Sequence, residues 1–303
     1  MSLNTQLTPA DSYDVNNMIF SDPVSGSIPD SKVKIEFKRI NISTRNEDGS
    51  EGELVLPTGR LFSFGVSENT SQETGKVNGY TFPLCLWSRD NGPTEEEKAW
   101  TDKFNEIVDR CIKHLLDNKE ELDLFDLTKS DLVRSKGGLN PLYWKREKHM
   151  NKSGKAVLRV VPGTGPTLYT KLIYSKKHQK FLSQIFDTND EPINVLDLLG
   201  KYCYTNAAVK IESIFIGSRI SLQVKLYEAV VEPTQSGMKR LLARPKARSK
   251  VLEMKNNSGV GSMLADDDDD DEGSLVDSEE EEVQKPVVKK RVVRKVKKVR
   301  KKN

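Results

Sequence analysis

VKIESIFIGSRISLQVKLYEAVV, running from Val209 to Val231, decides the fold. In its second half Ile220, Leu222, Val224 and Leu226 alternate with Ser221, Gln223, Lys225 and Tyr227, the period of a strand with one buried and one polar face. Gly217-Ser218 separates this run from the apolar-rich Val209–Ile216, so the stretch predicts a long antiparallel hairpin. Such a hairpin needs further strands to cover its apolar face.

Candidates lie upstream. A short helix is expected from about Val195 to Tyr202, preceded by strands at Phe181–Phe186, Thr167–Tyr174 and Ala156–Val161. Val33–Ile42 alternates with a phase slip that suits a bulge, and Leu54–Leu56, Arg60–Val66 and Tyr80–Trp87 read as further strands, Pro83 placing the last at an edge or bulge. Thr94-Glu95-Glu96-Glu97 is a capping box, and Trp100, Phe104, Ile107, Val108, Cys111, Ile112 and Leu115 then share one helical face. A short helix near Ser130–Ser135 ends at Gly137-Gly138. The class is α+β: a β-rich core with one long amphipathic helix.

Three regions follow from composition. Residues 1–30 are rich in Ser, Asp, Asn and Pro without periodicity and read as a flexible N-terminal arm or a loose lead-in strand; residues 31–232 form the core. Residues 233–303 read as a disordered tail, because charge is segregated in blocks that cannot bury apolar surface: twelve acids and no base in 266–282, then eleven bases and no acid in 285–302. The acidic block suits competition with nucleic acid, the docking of basic partners such as replication proteins, or simple solubilisation. The basic block suits nuclear import, non-specific nucleic-acid contact, or pairing with the acidic block of the same chain. The net charge of +3 conceals this segregation.

The functional signal is a cationic island. Arg134 to Lys180 holds twelve Lys or Arg residues against one acid, Glu147. Interleaved rings complete what a single nucleic-acid strand requires, charge for phosphates and flat surfaces for bases. The candidate contacts are Arg134, Lys136, Lys145, Arg146, Lys148, Lys152, Lys155, Arg159, Lys171, Lys176 and Lys177 for phosphate, with Tyr143, Trp144, Tyr169 and Tyr174 for bases. Trp144, beside Pro141 and Lys145, fits either a stacking platform or core packing. In a strand over 167–174, Tyr169 and Lys171 share a face opposite Leu168 and Leu172.

Other chemistry lacks its signatures. There is no phosphate-binding GxxxxGK[ST] loop, HExxH, GxSxG or pair of CxxC motifs, and no cofactor or catalytic residue is assigned. Cys111 and His114 have metal-like spacing, but Cys111 continues the helix's apolar stripe; no metal is expected. Gly163-Thr164-Gly165-Pro166 reads as a plain turn, since Pro166 has no amide hydrogen to give a phosphate. Three scattered cysteines, Cys85, Cys111 and Cys203, suit a reducing compartment. With no apolar run of membrane-spanning length, the expectation is a soluble intracellular protein.

At the hairpin Val209–Val231 and at GYTFPLCLW, Gly79–Trp87, the chain resembles the single-stranded-DNA-binding proteins of nucleocytoplasmic large DNA viruses. The resemblance implies a core like an oligonucleotide-binding (OB) fold, as a barrel or curved antiparallel sheet. It also implies sequence-independent binding of single-stranded DNA in viral replication, recombination or repair. The place of action is then a cytoplasmic virus factory or the nucleus, with packaging in the virion open. RNA as ligand stays open, as does the oligomeric state. The rival reading is a virion or scaffold protein whose charged tail recruits partners or packaged nucleic acid.

Overall fold

Strands account for most of the regular structure among the described residues. The computed structural model describes residues 4–28, 35–71, 75–134, 137–150, 156–175 and 177–234. In order come β1 (Gln6–Leu7), β2 (Met18–Phe20), β3 (Val24–Ile28), β4 (Ile35–Arg45), β5 (Glu51–Pro57), β6 (Leu61–Ser63), β7 (Ser67–Thr70) and β8 (Val77–Cys85). The helices α1 (Glu95–Asp117) and α2 (Lys129–Val133) follow. Then come β9 (Leu142–Tyr143), β10 (Arg146–Met150), β11 (Ala156–Val160), β12 (Thr167–Leu172), β13 (Tyr174–Ser175), β14 (Lys180–Phe181) and β15 (Gln184–Phe186). A 3-10 turn at Val195–Leu198 leads to the long hairpin of β16 (Cys203–Ile216) and β17 (Ile220–Pro233).

Five strands close a ring. β6 pairs β8, β8 pairs β12, and β17 pairs β16, which returns to β6, all antiparallel; β12 and β17 run parallel and seal the circle. Numbered along the chain, the ring reads first, second, third, fifth, fourth, the Greek-key order of an OB-type barrel. The α+β class and the barrel expectation hold.

Inside the ring the apolar halves of the alternation meet. Phe82 and Leu84 of β8, Leu168 and Leu172 of β12, Val224 and Leu226 of β17, and Val209 and Ile211 of β16 are all buried. Each contributes roughly 1.5–3 kcal/mol by leaving water. Thr170 also faces inward, where its hydroxyl donates to the Phe82 carbonyl at 2.7 Å and so carries no unmet polar group into the core.

β16 is the shared spine. Its first residues pair β6, its middle pairs β5 and its last residues pair β4, with register breaks at Ala208/Val209 and Ile211/Ser213 that let one strand turn from partner to partner. β4 and β5 thereby form a side sheet to which β1, β2 and β3 are added. α1 covers this sheet: the Trp100 indole donates to the Pro57 carbonyl at 3.0 Å, and His114 stacks on Phe20 with ring centroids 4.0 Å apart. The capping box forms as read, Thr94 accepting from the Glu97 amide and Glu97 from the Thr94 amide.

Several expectations need correction. The segment 1–30, read as a flexible arm or a loose lead-in strand, contributes three strands and buries Ala10, Tyr13 and Met18; its strands are too short to show a period, and the Tyr13 hydroxyl is tied to Thr44 Oγ1 at 3.0 Å. Pro83 is not at an edge. β8 lies between β12 on one side and β6 with β7 on the other, and Pro83 falls opposite the gap where β6 has ended and β7 has not begun. The helix at 195–202 is only the 3-10 turn; Gly200, at φ +62°, ends it and releases the chain into β16. Cys111 is buried in the core with its thiol pushed up to about 12 by burial. The charged tail blocks lie outside the described residues, as does all of 235–303.

Candidate nucleic-acid interface

The OB barrel type offers its ligand the outer face of the second and third strands. Here those are β8 and β12. Along β12, Thr167, Tyr169 and Lys171 point outward, because Leu168, Thr170 and Leu172 take the inward positions. β9 adds to the free edge with Tyr143 directly across from Thr167. The Tyr143 and Tyr169 rings meet edge to face with centroids 6.1 Å apart, 56% and 47% exposed. Two large rings left this open offer flat surfaces for bases. Burial, then the neighbouring Tyr143 phenol, raises the Tyr169 pKa, so the Tyr169 phenol keeps its proton at neutral pH. Lys171 continues the face and donates to Gln223 Oε1 at 3.0 Å.

From β9 the chain leaves the barrel. Trp144 is half-buried, its ring 6.4 Å from that of Trp87, which lies flat on Gly165; a Cβ at that glycine would come within 2.6 Å of the indole. The turn read at 163–166 sits earlier, at Pro162–Gly163, where the Thr164 amide donates to the Val161 carbonyl at 3.4 Å; Thr164 then bridges Ser88, and the Gly165 amide donates to the Trp87 carbonyl at 3.0 Å. Lys145 is exposed, and β10 and β11 then form a two-stranded ribbon paired with nothing else among the described residues, exposed throughout.

Register sorts the ribbon's side chains. Arg146 faces Val160, Lys148 faces Leu158 and Met150 faces Ala156, so one side carries two cations among apolar groups. The other side carries Arg159 directly across from Glu147, the one acid of the island, with His149 and Val157 beyond. Arg159 is therefore parted from Arg146 and Lys148.

The remaining candidates scatter. Tyr174 packs with Phe181 and Tyr80, at 5.0 and 6.2 Å, beyond the end of β12, and Lys177 is exposed in the β13–β14 turn. Arg134 ends α2, where its guanidinium meets the carbonyl and carboxylate of Asp131. Lys136, Lys152, Lys155 and Lys176 lie outside the described residues. The structure thus brings together Tyr143, Tyr169 and Lys171, with Trp144, Lys145, Arg146 and Lys148 leading away from them.

Sequence reasoning missed a second aromatic group on the same barrel. Phe62, Phe64, Tyr202 and Tyr204 contact one another edge to face at 5.3–5.9 Å, and the Arg60 guanidinium lies 3.7 Å over the Tyr204 ring. The available signal was Phe-x-Phe and Tyr-x-Tyr, spacings that put both rings of each pair on one strand face. Only the pairing of β6 with β16 unites them. Among the described residues no three His, Cys, Asp or Glu side chains gather to hold a metal ion, and no helix is long and apolar enough to cross a membrane.

Comparison with known proteins adds a setting. The chain is 28% identical over 183 residues to Uncharacterized protein 007R of Invertebrate iridescent virus 3, a match covering 59% of this chain and 36% of that protein's own length. It is 26% identical over 246 residues to the Early 31 kDa protein of Frog virus 3 (isolate Goorha), covering 79% of this chain and 85% of the relative. Among solved structures, gp2.5, a single-stranded DNA binding protein encoded by bacteriophage T7, aligns with 70% of the chain at 9% identity and a TM-score of 0.34. The two viral relatives agree with the large-DNA-virus setting that the wording of the hairpin implied; neither name says what the protein binds. A family profile described as Protein of unknown function (DUF2738) matches residues 11–274, and the chain belongs to that family.

Proposed function

We propose that this protein binds single-stranded DNA without reading its sequence, performs no catalysis, and serves viral replication, recombination or repair at the site of viral DNA synthesis. The reading rests on one observation: Tyr169, on the outer face of the third barrel strand, and Tyr143, on β9 at that strand's edge, stand open and in contact. Lys171 lies beside them, and a ribbon bearing Arg146 and Lys148 begins three residues beyond Tyr143. Rings on a rigid strand bind bases of any identity through their π-faces, while lysine and arginine follow the phosphates. The iridovirus relatives support the viral setting, and the name of the frog virus relative, an early protein, suits a role before virion assembly.

The test is a fluorescence-polarisation titration of the full chain with single-stranded DNA, duplex DNA and RNA at two salt concentrations. If about five phosphates are neutralised, log K falls against log salt with a slope near −3.5. Tyr169→Ala weakens single-strand binding by about 1–3 kcal/mol. Equal affinity for duplex, or a Tyr169→Ala variant that binds as well as the wild type, overturns the reading and leaves the basic tail as the source of any binding.

A further inference from the structure

The two aromatic groups are not independent patches, because strand register joins them. Tyr204 of β16 lies directly across from Phe62 of β6, Phe62 across from Cys85 of β8, Cys85 across from Thr167 of β12, and Thr167 across from Tyr143 of β9. Every member of that row is exposed or half-buried, so the row runs along the outer surface of the barrel. At about 4.8 Å per strand step, its four steps span about 19 Å. Tyr169 and Pro83 form the next row beside it.

The far end of the row is built to hold its rings in place. Phe64 is 41%, Tyr202 49% and Tyr204 36% exposed, and each touches a neighbouring ring rather than a core. Gly65, between Phe64 and Val66, has φ +80°, and a Cβ there would meet the Lys201 and Leu198 carbonyl oxygens at 2.3 and 2.5 Å. The Val66 amide donates to the Leu198 carbonyl at 2.9 Å and the Gly200 amide to the Val66 carbonyl at 3.0 Å. The segments bearing the two ring pairs are thus locked together, with the Arg60 guanidinium, ion-paired at 2.8 Å to Glu232, at the border.

We infer that Phe64, Tyr202 and Tyr204 form a second base-stacking subsite, and that a bound single strand crosses the barrel from Tyr143 and Tyr169, over Cys85 and Phe62, to this end. The inference rests on the single-strand reading above. A polynucleotide suits the surface better than a protein would: the surface is a line rather than a broad patch, it is floored by aromatic and small side chains, and it is continuous in register with the first platform. Arg60 stands where a phosphate leaving the last ring can replace Glu232.

The experiment uses the full chain and an oligothymidylate of about 16 nucleotides, long enough for either footprint. Affinity is measured for the wild type, Tyr169→Ala, the double variant Tyr202→Ala/Tyr204→Ala, and the double variant Tyr202→Phe/Tyr204→Phe. The alanine pair is expected to weaken binding roughly five- to 150-fold, with the phenylalanine pair close to wild type. In parallel, iodouracil-substituted oligothymidylate is photocrosslinked to unaltered protein, with adducts expected on both the Tyr143/Tyr169 and the Tyr202/Tyr204 peptides. Wild-type protein that fails to bind the oligonucleotide at all sinks the functional reading itself. Binding that is weakened by Tyr169→Ala but untouched by the alanine pair, with adducts confined to the first platform, overturns only the second subsite. An alanine pair that changes self-association in sedimentation and not DNA affinity assigns the surface to a second copy of the chain and overturns the proposal as well.

Discussion

Tyr169 and Leu158 come from the same basic stretch and both stand in solvent, yet their supports differ. Tyr169 projects from β12, whose other face packs Leu168, Thr170 and Leu172 into a closed barrel. Leu158 projects from a two-stranded ribbon exposed on both faces. A ring on the barrel is held still before a ligand arrives, so little ordering entropy opposes binding. A ribbon without a core is marginal in isolation and local in its stability. The lesson is that composition marked the region while the fold divided it into a platform and an arm.

The sharpest way to test that division is by stability. Phe82→Ala, behind the platform, is expected to lose about 3–5 kcal/mol in denaturant unfolding, whereas Leu158→Ala on the ribbon stays within about 0.5 kcal/mol of wild type. A large loss from Leu158→Ala shows that the ribbon has a hidden packing partner. Next in size, Tyr143→Ala should cost about 1–3 kcal/mol of single-strand affinity with an unchanged unfolding midpoint, while Trp144→Ala, which strips the cover from Trp87, should cost stability as well. The ribbon's own part is read from salt. Removing both Arg146 and Lys148 should flatten the log K against log salt slope by about 1.4, and Arg159→Ala, opposite Glu147, by less than about 0.7. A full change of about 0.7 from Arg159→Ala places the strand on both sides of the ribbon.

The smallest effect separates the platform from the helix-covered side. His114 stacks under α1 on Phe20, and burial, then the nearby Arg110 charge, lowers its pKa below the ordinary 6.5. The unfolded chain therefore binds more protons than the folded one in that range. The stabilising contribution is full above pH 6.5 and is lost as pH falls through the depressed folded value. His114→Gln should flatten this acid limb of stability while leaving DNA affinity unchanged. A shift in affinity with protonation of His114 couples the two sides.

Much of the fold was legible because it is written in local periods. The capping box and apolar face gave α1, and the alternation from Ile220 gave β17 nearly to its end. β16 begins earlier than read, at Cys203, because Asn206, Ala207 and Ala208 are weak strand formers that pair only with β17, β6 and β5 already in place. Closure of the ring was not legible. It depends on β6 meeting β16 and on β12 meeting β17 in parallel, contacts between distant parts of the chain that no window of sequence contains. The same limit governed the site. Tyr169 and Lys171 were placed on one face by period alone, but the parting of Arg159 from Arg146, the removal of Tyr174 to another cluster and the meeting of Phe62 with Tyr204 all follow from pairing.

The parallel seam between β12 and β17 sets a time order on the newborn chain. β12 lies in the middle of the sequence, and its last neighbour is the final strand described. Until the ribosome has delivered Ile220 to Pro233, the Lys171–Leu172 end of one border of β12 lies bare, and the polypeptide is at once unable to close its barrel and open to adhesion by other nascent strands. On the single-strand reading proposed above, ligand capture is thus deferred to the moment at which the vulnerable edge disappears.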